Sequence, residues 1–207
     1  MFFVKIRGLY VITSADFGWR HEDIAEMALK AGARIIQLRE KKMPARKIYE
    51  VARKIRKLCD EYDAIFIVND RLDIAMLSDA DGVHVGKEDP PADKIKEIFD
   101  GIVGVSVDNA EEAKEAEKYA DYVGVGPVFE TTTKPDSGEV IGLEGLKEVK
   151  EAIKIPVVAI GGINKDNVRE VIKIADAVAV VSAIASSKDP YKATKELLEI
   201  IASEKRF

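Results

Sequence analysis

Thr131, Thr132, Thr133 and Lys134 place three hydroxyls and an ammonium in four consecutive residues, separated only by Glu130 from the apolar run Tyr122-Val-Gly-Val-Gly-Pro-Val-Phe129. Hydroxyl donors, backbone N–H groups and a compact positive charge in one short loop suit phosphate oxygens. Taken alone, a Thr-rich surface turn reads the same way, because Thr and Lys are ordinary loop residues. Similar groups after other apolar runs favour the phosphate: Gln37-Leu-Arg-Glu-Lys41, Asn69-Asp70-Arg71, Glu88-Asp89, Ser106, Gly161-Gly162 and Val181-Ser182.

These groups sort into two sets. Asp70 and Asp89 are hard oxygen donors of the kind that hold Mg²⁺, with substrate phosphate and water completing an octahedron. Asp70 also suits a helix N-cap, and Asp89 a Pro-Pro turn. Arg39, Lys41 and Lys134 supply more positive charge than a neutral substrate needs, and cations beside a metal imply a polyanion, most simply a diphosphate. Gly161-Gly162 and Val181-Ser182 form the second, backbone-rich set, suited to a phosphate held by amides and a helix N-terminus. The two glycines equally fit a tight turn that needs positive φ. Two phosphate sites imply two substrates.

The elements that must carry these groups alternate along the chain. Short runs rich in β-branched residues predict strands near Gly8–Thr13, Arg34–Arg39, Ala64–Asn69, Gly82–Val85, Ile102–Ser106, Tyr122–Gly126, Pro156–Ile160 and Ala177–Ser182. Amphipathic stretches follow them at Glu22–Ala31, Ala45–Glu61, Arg71–Leu77, Ala92–Phe99, Asn109–Tyr119, Leu143–Ile153, Asn164–Ile174 and Pro190–Ser203. Strands apolar on both faces, each followed by a helix, are those of a buried parallel sheet. Eight such units predict an α/β fold, a single-domain (β/α)8 TIM barrel over residues 1–207. A doubly wound open sheet fits less well, because Thr13-Ser-Ala-Asp-Phe-Gly18 is no dinucleotide fingerprint. No linker, low-complexity segment or strong internal repeat is evident. In a barrel the polar strand ends gather at one face, where active sites lie.

Composition bounds the partners. With 207 residues and a net charge of −5, the chain has no general attraction for nucleic acid or anionic lipid, so an anionic ligand needs a local cluster. The single Cys59 lies in an apolar helical pattern and reads as packing, which suits a reducing cytoplasm. No run of about 18 apolar residues is present to span a bilayer. High Lys and Glu content with Gln37 as the one glutamine is a composition associated with hyperthermophiles.

The ordered set of strand-end motifs resembles the thiamine phosphate synthase family. It runs over essentially the whole chain: Gln37-Leu-Arg-Glu-Lys41, Val68-Asn-Asp-Arg71, Asp81-Gly-Val-His-Val-Gly86 with Glu88-Asp-Pro90, Gly104-Val-Ser106, Gly124-Val-Gly-Pro-Val-Phe129, Thr131–Lys134, Ala159-Ile-Gly-Gly-Ile163 and Val181-Ser-Ala-Ile184. The resemblance implies an enzyme that joins 4-amino-2-methyl-5-(diphosphooxymethyl)pyrimidine to 4-methyl-5-(2-phosphooxyethyl)thiazole, releasing diphosphate and thiamine phosphate. It implies pyrimidine diphosphate binding by Gln37, Leu38, Arg39, Glu40, Lys41, Asn69, Ser106 and Lys134. Thr131, Thr132, Thr133, Gly162, Val181 and Ser182 would hold the thiazole phosphate, and Asp70 and Asp89 the Mg²⁺. Arg39, Lys41, Ser106 and Lys134 would act in catalysis, on a path that ionises the pyrimidine CH₂–O bond before the thiazole nitrogen attacks. The implied partners are these small molecules, with a homo-oligomer as a further expectation.

Three positions depart from the family pattern. Lys87 stands where Gln is common, Glu130 where Pro is frequent, and Val107-Asp108 where a hydroxyl residue and His are usual. A related thiazole tautomerase is thought to use that His for proton transfer. His21, near a helix start, and His84, in the fourth strand, are the chain's two histidines, and His84 reads as a packed or hydrogen-bonded barrel residue. A non-enzymatic barrel that binds thiamine precursors would have little use for Asp70, Asp89 and Lys134 together. A phosphate-binding isomerase would need a general base, for which Glu40 is the one obvious candidate.

Overall fold

A computed structural model describes residues 6–131, 133 and 138–204. The element order is β1 (Gly8–Thr13), α1 (His21–Ala31), β2 (Ile35–Leu38), α2 (Ala45–Glu61), β3 (Ile65–Asn69), α3 (Leu72–Leu77), β4 (Gly82–Val85), α4 (Ala92–Ile98), β5 (Ile102–Val107), α5 (Ala110–Ala116), β6 (Tyr122–Val125), α6 (Gly142–Ala152), β7 (Val157–Ala159), α7 (Val168–Ile174), β8 (Ala177–Val180), α8 (Ser182–Ala185) and α9 (Pro190–Glu204). Each strand pairs in parallel with its neighbours, and β8 pairs with β1 to close the barrel. The expected (β/α)8 barrel is the fold observed.

The two-residue period of a strand divides the apolar residues between two cores. Leu9, Val11, Ile36, Leu38, Val83, Val85, Val123 and Val125 face outward into the core shared with the surrounding helices, to which residues such as Ile24, Ile55, Ala113 and Leu146 belong. Tyr10, Ile12, Ile35, Ile67, Ile102, Tyr122, Val158 and Ala179 fill the barrel interior. Large and small residues complement each other there. A Cβ at Gly104 would fall within the Tyr122 ring, so a hydrogen at 104 is what admits a tyrosine from the next strand.

Several boundaries differ from expectation because barrel hydrogen bonding, not apolar character, ends a strand. The second strand stops at Leu38, before Arg39, and the eighth stops at Val180, after which Ser182 opens the short helix α8. That helix is absent from the sequence-based reading; four residues are too few to display a helical period.

An internal repeat also emerges. Ala80-Asp-Gly-Val-His-Val85, Ala120-Asp-Tyr-Val-Gly-Val125 and Ala175-Asp-Ala-Val-Ala-Val180 share the pattern Ala-Asp-x-Val-x-Val at β4, β6 and β8. In each, the Asp clasps the preceding strand at the amino-terminal rim. Asp81 donates its N–H to the Phe66 carbonyl at 2.9 Å while its Oδ2 accepts the Phe66 N–H at 2.6 Å. Asp121 does the same to Val103, and Asp176 to Val157. Each carboxylate also meets one helix cation at 2.6 Å: Arg56 of α2, Lys96 of α4 and Lys150 of α6. A charged acceptor on a strand N–H, held by a second charge, is a strong form of hydrogen bond.

Candidate active site

The carboxyl-terminal ends of the strands surround a cavity of about 540 Å³. Strand alternation continues past β2, so Gln37, Arg39 and Lys41 line this cavity while Leu38 and Glu40 do not. Leu38 packs in the outer core. The Glu40 carboxylate turns the other way, accepting the N–H groups of Lys42 at 2.5 Å and Met43 at 3.2 Å and meeting His21 Nε2 at 3.0 Å. Burial works to raise the Glu40 pKa, but these hydrogen bonds outweigh it and hold the carboxyl below its ordinary value.

Asn69 and Asp70 reach the cavity from the end of β3. Asp70 has a left-handed backbone (φ 62°), a conformation Asp tolerates better than most residues, and its N–H donates to the His84 carbonyl. It is not a helix cap: α3 begins at Leu72 with Arg71 in the N-cap position. Asp89 does close a turn, its Oδ2 accepting the Gly86 N–H at 2.7 Å, yet it also faces the cavity beside Asp70. Burial raises the Asp89 pKa, and the neighbouring Asp70 carboxylate adds to the effect. Lys41 Nζ lies 3.2 Å from Asp70 Oδ2. Two carboxylates forced together in a partly desolvated place, with one lysine beside them, favour a cation. Among the described residues no group of three or more His, Cys, Asp or Glu side chains could hold a metal ion, so a metal here would take the remainder of its ligands from substrate or water.

Lys87 belongs to a different pair. Its ammonium meets Asp108 at 2.5 Å and Glu112 at 2.8 Å, away from the Asp70–Asp89 pair. Two of the departures from the family pattern, Lys87 and Asp108, are therefore partners of each other across the β4 and β5 loops.

Below the cations a hydrogen-bond chain crosses the barrel. Gln37 Nε2 donates to Tyr10 Oη at 2.8 Å, the Tyr10 and Tyr122 hydroxyls are 2.8 Å apart, Tyr122 Oη is 2.9 Å from His84 Nδ1, and His84 Nε2 is 2.9 Å from Ser106 Oγ. Burial raises both tyrosine pKa values, so both hydroxyls keep their protons. Tyr10 accepts from Gln37, either hydroxyl of the Tyr10–Tyr122 pair can donate to the other, and the roles of the two His84 nitrogens follow its tautomer. The chain thus ties the Ser106 hydroxyl, which lines the cavity, to Gln37 on the opposite side of the barrel. Sequence reasoning missed Tyr10 and Tyr122. The available signal was their inward strand parity, with Gly104 opposite Tyr122.

The far wall is built from backbone. Gly161 and Gly162 have φ of 101° and 64°, and both line the cavity with Val181 and Ser182. A Cβ at Gly161 would lie 2.5 Å from Pro127 Cα, and one at Gly162 would strike the Glu130 carbonyl. Positive φ and close backbone approach thus both require glycine here. Thr131 and Thr133 also line the cavity, with the Thr133 N–H directed at Thr131 Oγ1. Thr132 and Lys134 lie outside the described residues.

The "Thiamine monophosphate synthase" family model matches residues 9–184. Among similar proteins, the thiamine-phosphate synthase of Archaeoglobus fulgidus is 54% identical, with the match covering 93% of this chain and 92% of the relative. That of Pyrococcus furiosus is 53% identical, covering 93% and 94%. A solved thiamine phosphate pyrophosphorylase from Pyrococcus furiosus superposes with a TM-score of 0.91 at 49% identity, covering 97% of this chain and 98% of that one. A phosphoribosyl anthranilate isomerase from Thermotoga maritima, at 19% identity and a TM-score of 0.69 over 96% of this chain and 100% of that one, shares the fold alone. The family match across the strand ends that build the cavity, with relatives sharing most of the chain, shows that this chain belongs to the thiamine monophosphate synthase family and is an enzyme of thiamine phosphate synthesis.

Proposed function

We propose that the cavity joins a pyrimidinylmethyl diphosphate to a thiazole phosphate, with the two substrates on opposite walls. The observation that carries this reading is the split of one cavity into a charged wall from β2 to β5 and a backbone-rich wall from β7 and β8. In the reaction the pyrimidine CH₂–O bond breaks and its electron pair leaves with diphosphate. The thiazole nitrogen lone pair then forms the C–N bond of thiamine phosphate. Neither step needs a nucleophilic side chain.

Arg39 and Lys41 would meet the diphosphate oxygens, where negative charge grows in the transition state. Each such contact is worth about 3 kcal/mol of barrier, roughly a hundredfold in rate. Ser106, held by the chain from Gln37 through His84, would offer a hydrogen bond to an oxygen of the same group. Gln37 and Asn69 would orient the pyrimidine diphosphate, and Lys134 takes its diphosphate role from the family motif. Asp70 and Asp89 would hold Mg²⁺, which when bound would neutralise the departing diphosphate. Thr131, Thr133, Gly162, Val181 and Ser182, with Thr132 by the motif, would retain the thiazole phosphate. The Lys87–Asp108 pair disfavours a tautomerase reading, because it engages the side chain where such an enzyme would shuttle a proton.

The reading assigns the enzyme to the cytoplasm, and Cys59 suits that compartment: it is a free, fully buried thiol whose pKa burial pushes up to about 12. The test is a coupling assay with both substrates and Mg²⁺ at elevated temperature. Equimolar diphosphate and thiamine phosphate are expected, abolished by EDTA. Binding of thiazole phosphate with no diphosphate release overturns the reading, and turnover that survives EDTA removes the metal from it.

A further inference from the structure

His21 is buried to 1% exposure outside the barrel interior, at the first position of α1, and the reaction outlined above gives it no role. Both ring nitrogens are engaged. Nδ1 lies 2.7 Å from the hydroxyl of Thr13, the last residue of β1, and Nε2 lies 3.0 Å from Glu40 Oε2. An ionised carboxylate only accepts, so Nε2 carries the proton in the Glu40 contact. The other Glu40 oxygen takes the N–H groups of Lys42 and Met43, closing the turn that follows β2.

Glu40 thus lies between two opposed sets. Its neighbours Arg39 and Lys41 face the cavity, while its own side chain is pinned on the far side of the strand end. Rotation of that segment to free Glu40 would swing both cations off the mouth, since adjacent side chains of an extended segment move together. The Lys42–Asp16 pair, at 2.6 Å, ties the same turn to the β1–α1 loop but is exposed and contributes little.

We propose that His21 is a positioning residue for the diphosphate-binding segment: its ring fixes Glu40, and Glu40 fixes the turn from which Arg39 and Lys41 reach the substrate. The proposal rests on the reading of Arg39 and Lys41 as diphosphate ligands.

The experiment measures binding of inorganic diphosphate with Mg²⁺ to the full chain, together with KM for each substrate. His21→Ala is expected to weaken diphosphate binding about tenfold, a shift of about 1.4 kcal/mol, and to raise KM for the pyrimidine diphosphate in proportion. KM for thiazole phosphate should stay unchanged. His21→Gln, whose amide can donate to Glu40 and accept from Thr13, should recover most of the loss. A folded His21→Ala protein with parental diphosphate affinity, or with both KM values raised alike, overturns the proposal. If His21→Ala does not fold, Glu40→Gln serves in its place. It keeps the shape but lacks the charge, and unchanged diphosphate affinity in that variant also overturns the proposal. Arg39→Ala and Lys41→Ala separate the two levels. If they leave diphosphate binding intact, the site reading fails and takes this inference with it. If they weaken binding and His21→Ala does not, the inference alone fails.

Discussion

The two rims of the barrel use the same residue types for opposite ends. At the amino-terminal rim, Asp81, Asp121 and Asp176 repeat one arrangement three times: each carboxylate accepts one strand N–H and meets one cation from a helix. At the carboxyl-terminal rim, Asp70 and Asp89 stand against each other, with Lys41 near one of them and no copy of the arrangement elsewhere among the described residues. A carboxylate whose partners are already supplied by the fold stabilises the fold. Asp70 and Asp89, which meet each other, a partly exposed lysine and the one Gly86 N–H, are poised for something that arrives from outside.

The largest effect expected is at the carboxyl-terminal rim. Asp70→Asn should lower kcat/KM by about a hundredfold and flatten its Mg²⁺ dependence, while the melting temperature stays near that of the parent. An unchanged metal titration would remove Asp70 from the site, and a collapsed melting temperature would erase the contrast between the rims. The amino-terminal rim should behave in reverse. Asp176→Ala leaves the Val157 N–H and the Lys150 ammonium without their partner, at a cost of about 2 kcal/mol, or about 4–8 °C in melting temperature for a domain of this size. Its kcat at a temperature where it is folded should match the parent. Loss of turnover there would show that this rim is coupled to the chemistry.

The smallest effect sharpens the comparison with a charge pair that belongs to neither type. Lys87 and Asp108 sit at the mouth but are half exposed and paired with each other. A double-mutant cycle on Lys87→Ala and Asp108→Ala should yield a coupling energy below about 1 kcal/mol that fades with added salt. A coupling that appears in kcat rather than in stability would promote the pair to the catalytic wall.

The barrel was legible because its strands are short, β-branched and apolar on both faces, and because helical periods separate them. The charged wall was legible for a related reason: residues that follow a buried strand in a parallel barrel have one face to reach. Legibility failed where meaning depends on which neighbour a residue meets. Glu40 lies inside a motif that binds diphosphate by resemblance, yet its side chain turns away from the cavity toward His21. Tyr10 and Tyr122 are core residues whose hydroxyls meet across the barrel from positions 112 residues apart. The Ala-Asp-x-Val-x-Val repeat was present in plain letters, though its units are short and its meaning lies in the hydrogen bonds its aspartates make.

The sequence by itself determined the alternation of strand and helix, the closed parallel barrel and the set of strand ends from which a phosphate site could be built. It did so because burial periodicity and turn chemistry are local properties of the chain. Only the tertiary structure decided that Asp70 and Asp89 oppose each other, that Lys87 answers Asp108, that Gln37 is joined to Ser106 through two tyrosines and a histidine, and that Glu40 serves the turn instead of the cavity. Those pairings follow from barrel closure and strand register, which bring distant residues within hydrogen-bond reach and which no local window of sequence contains.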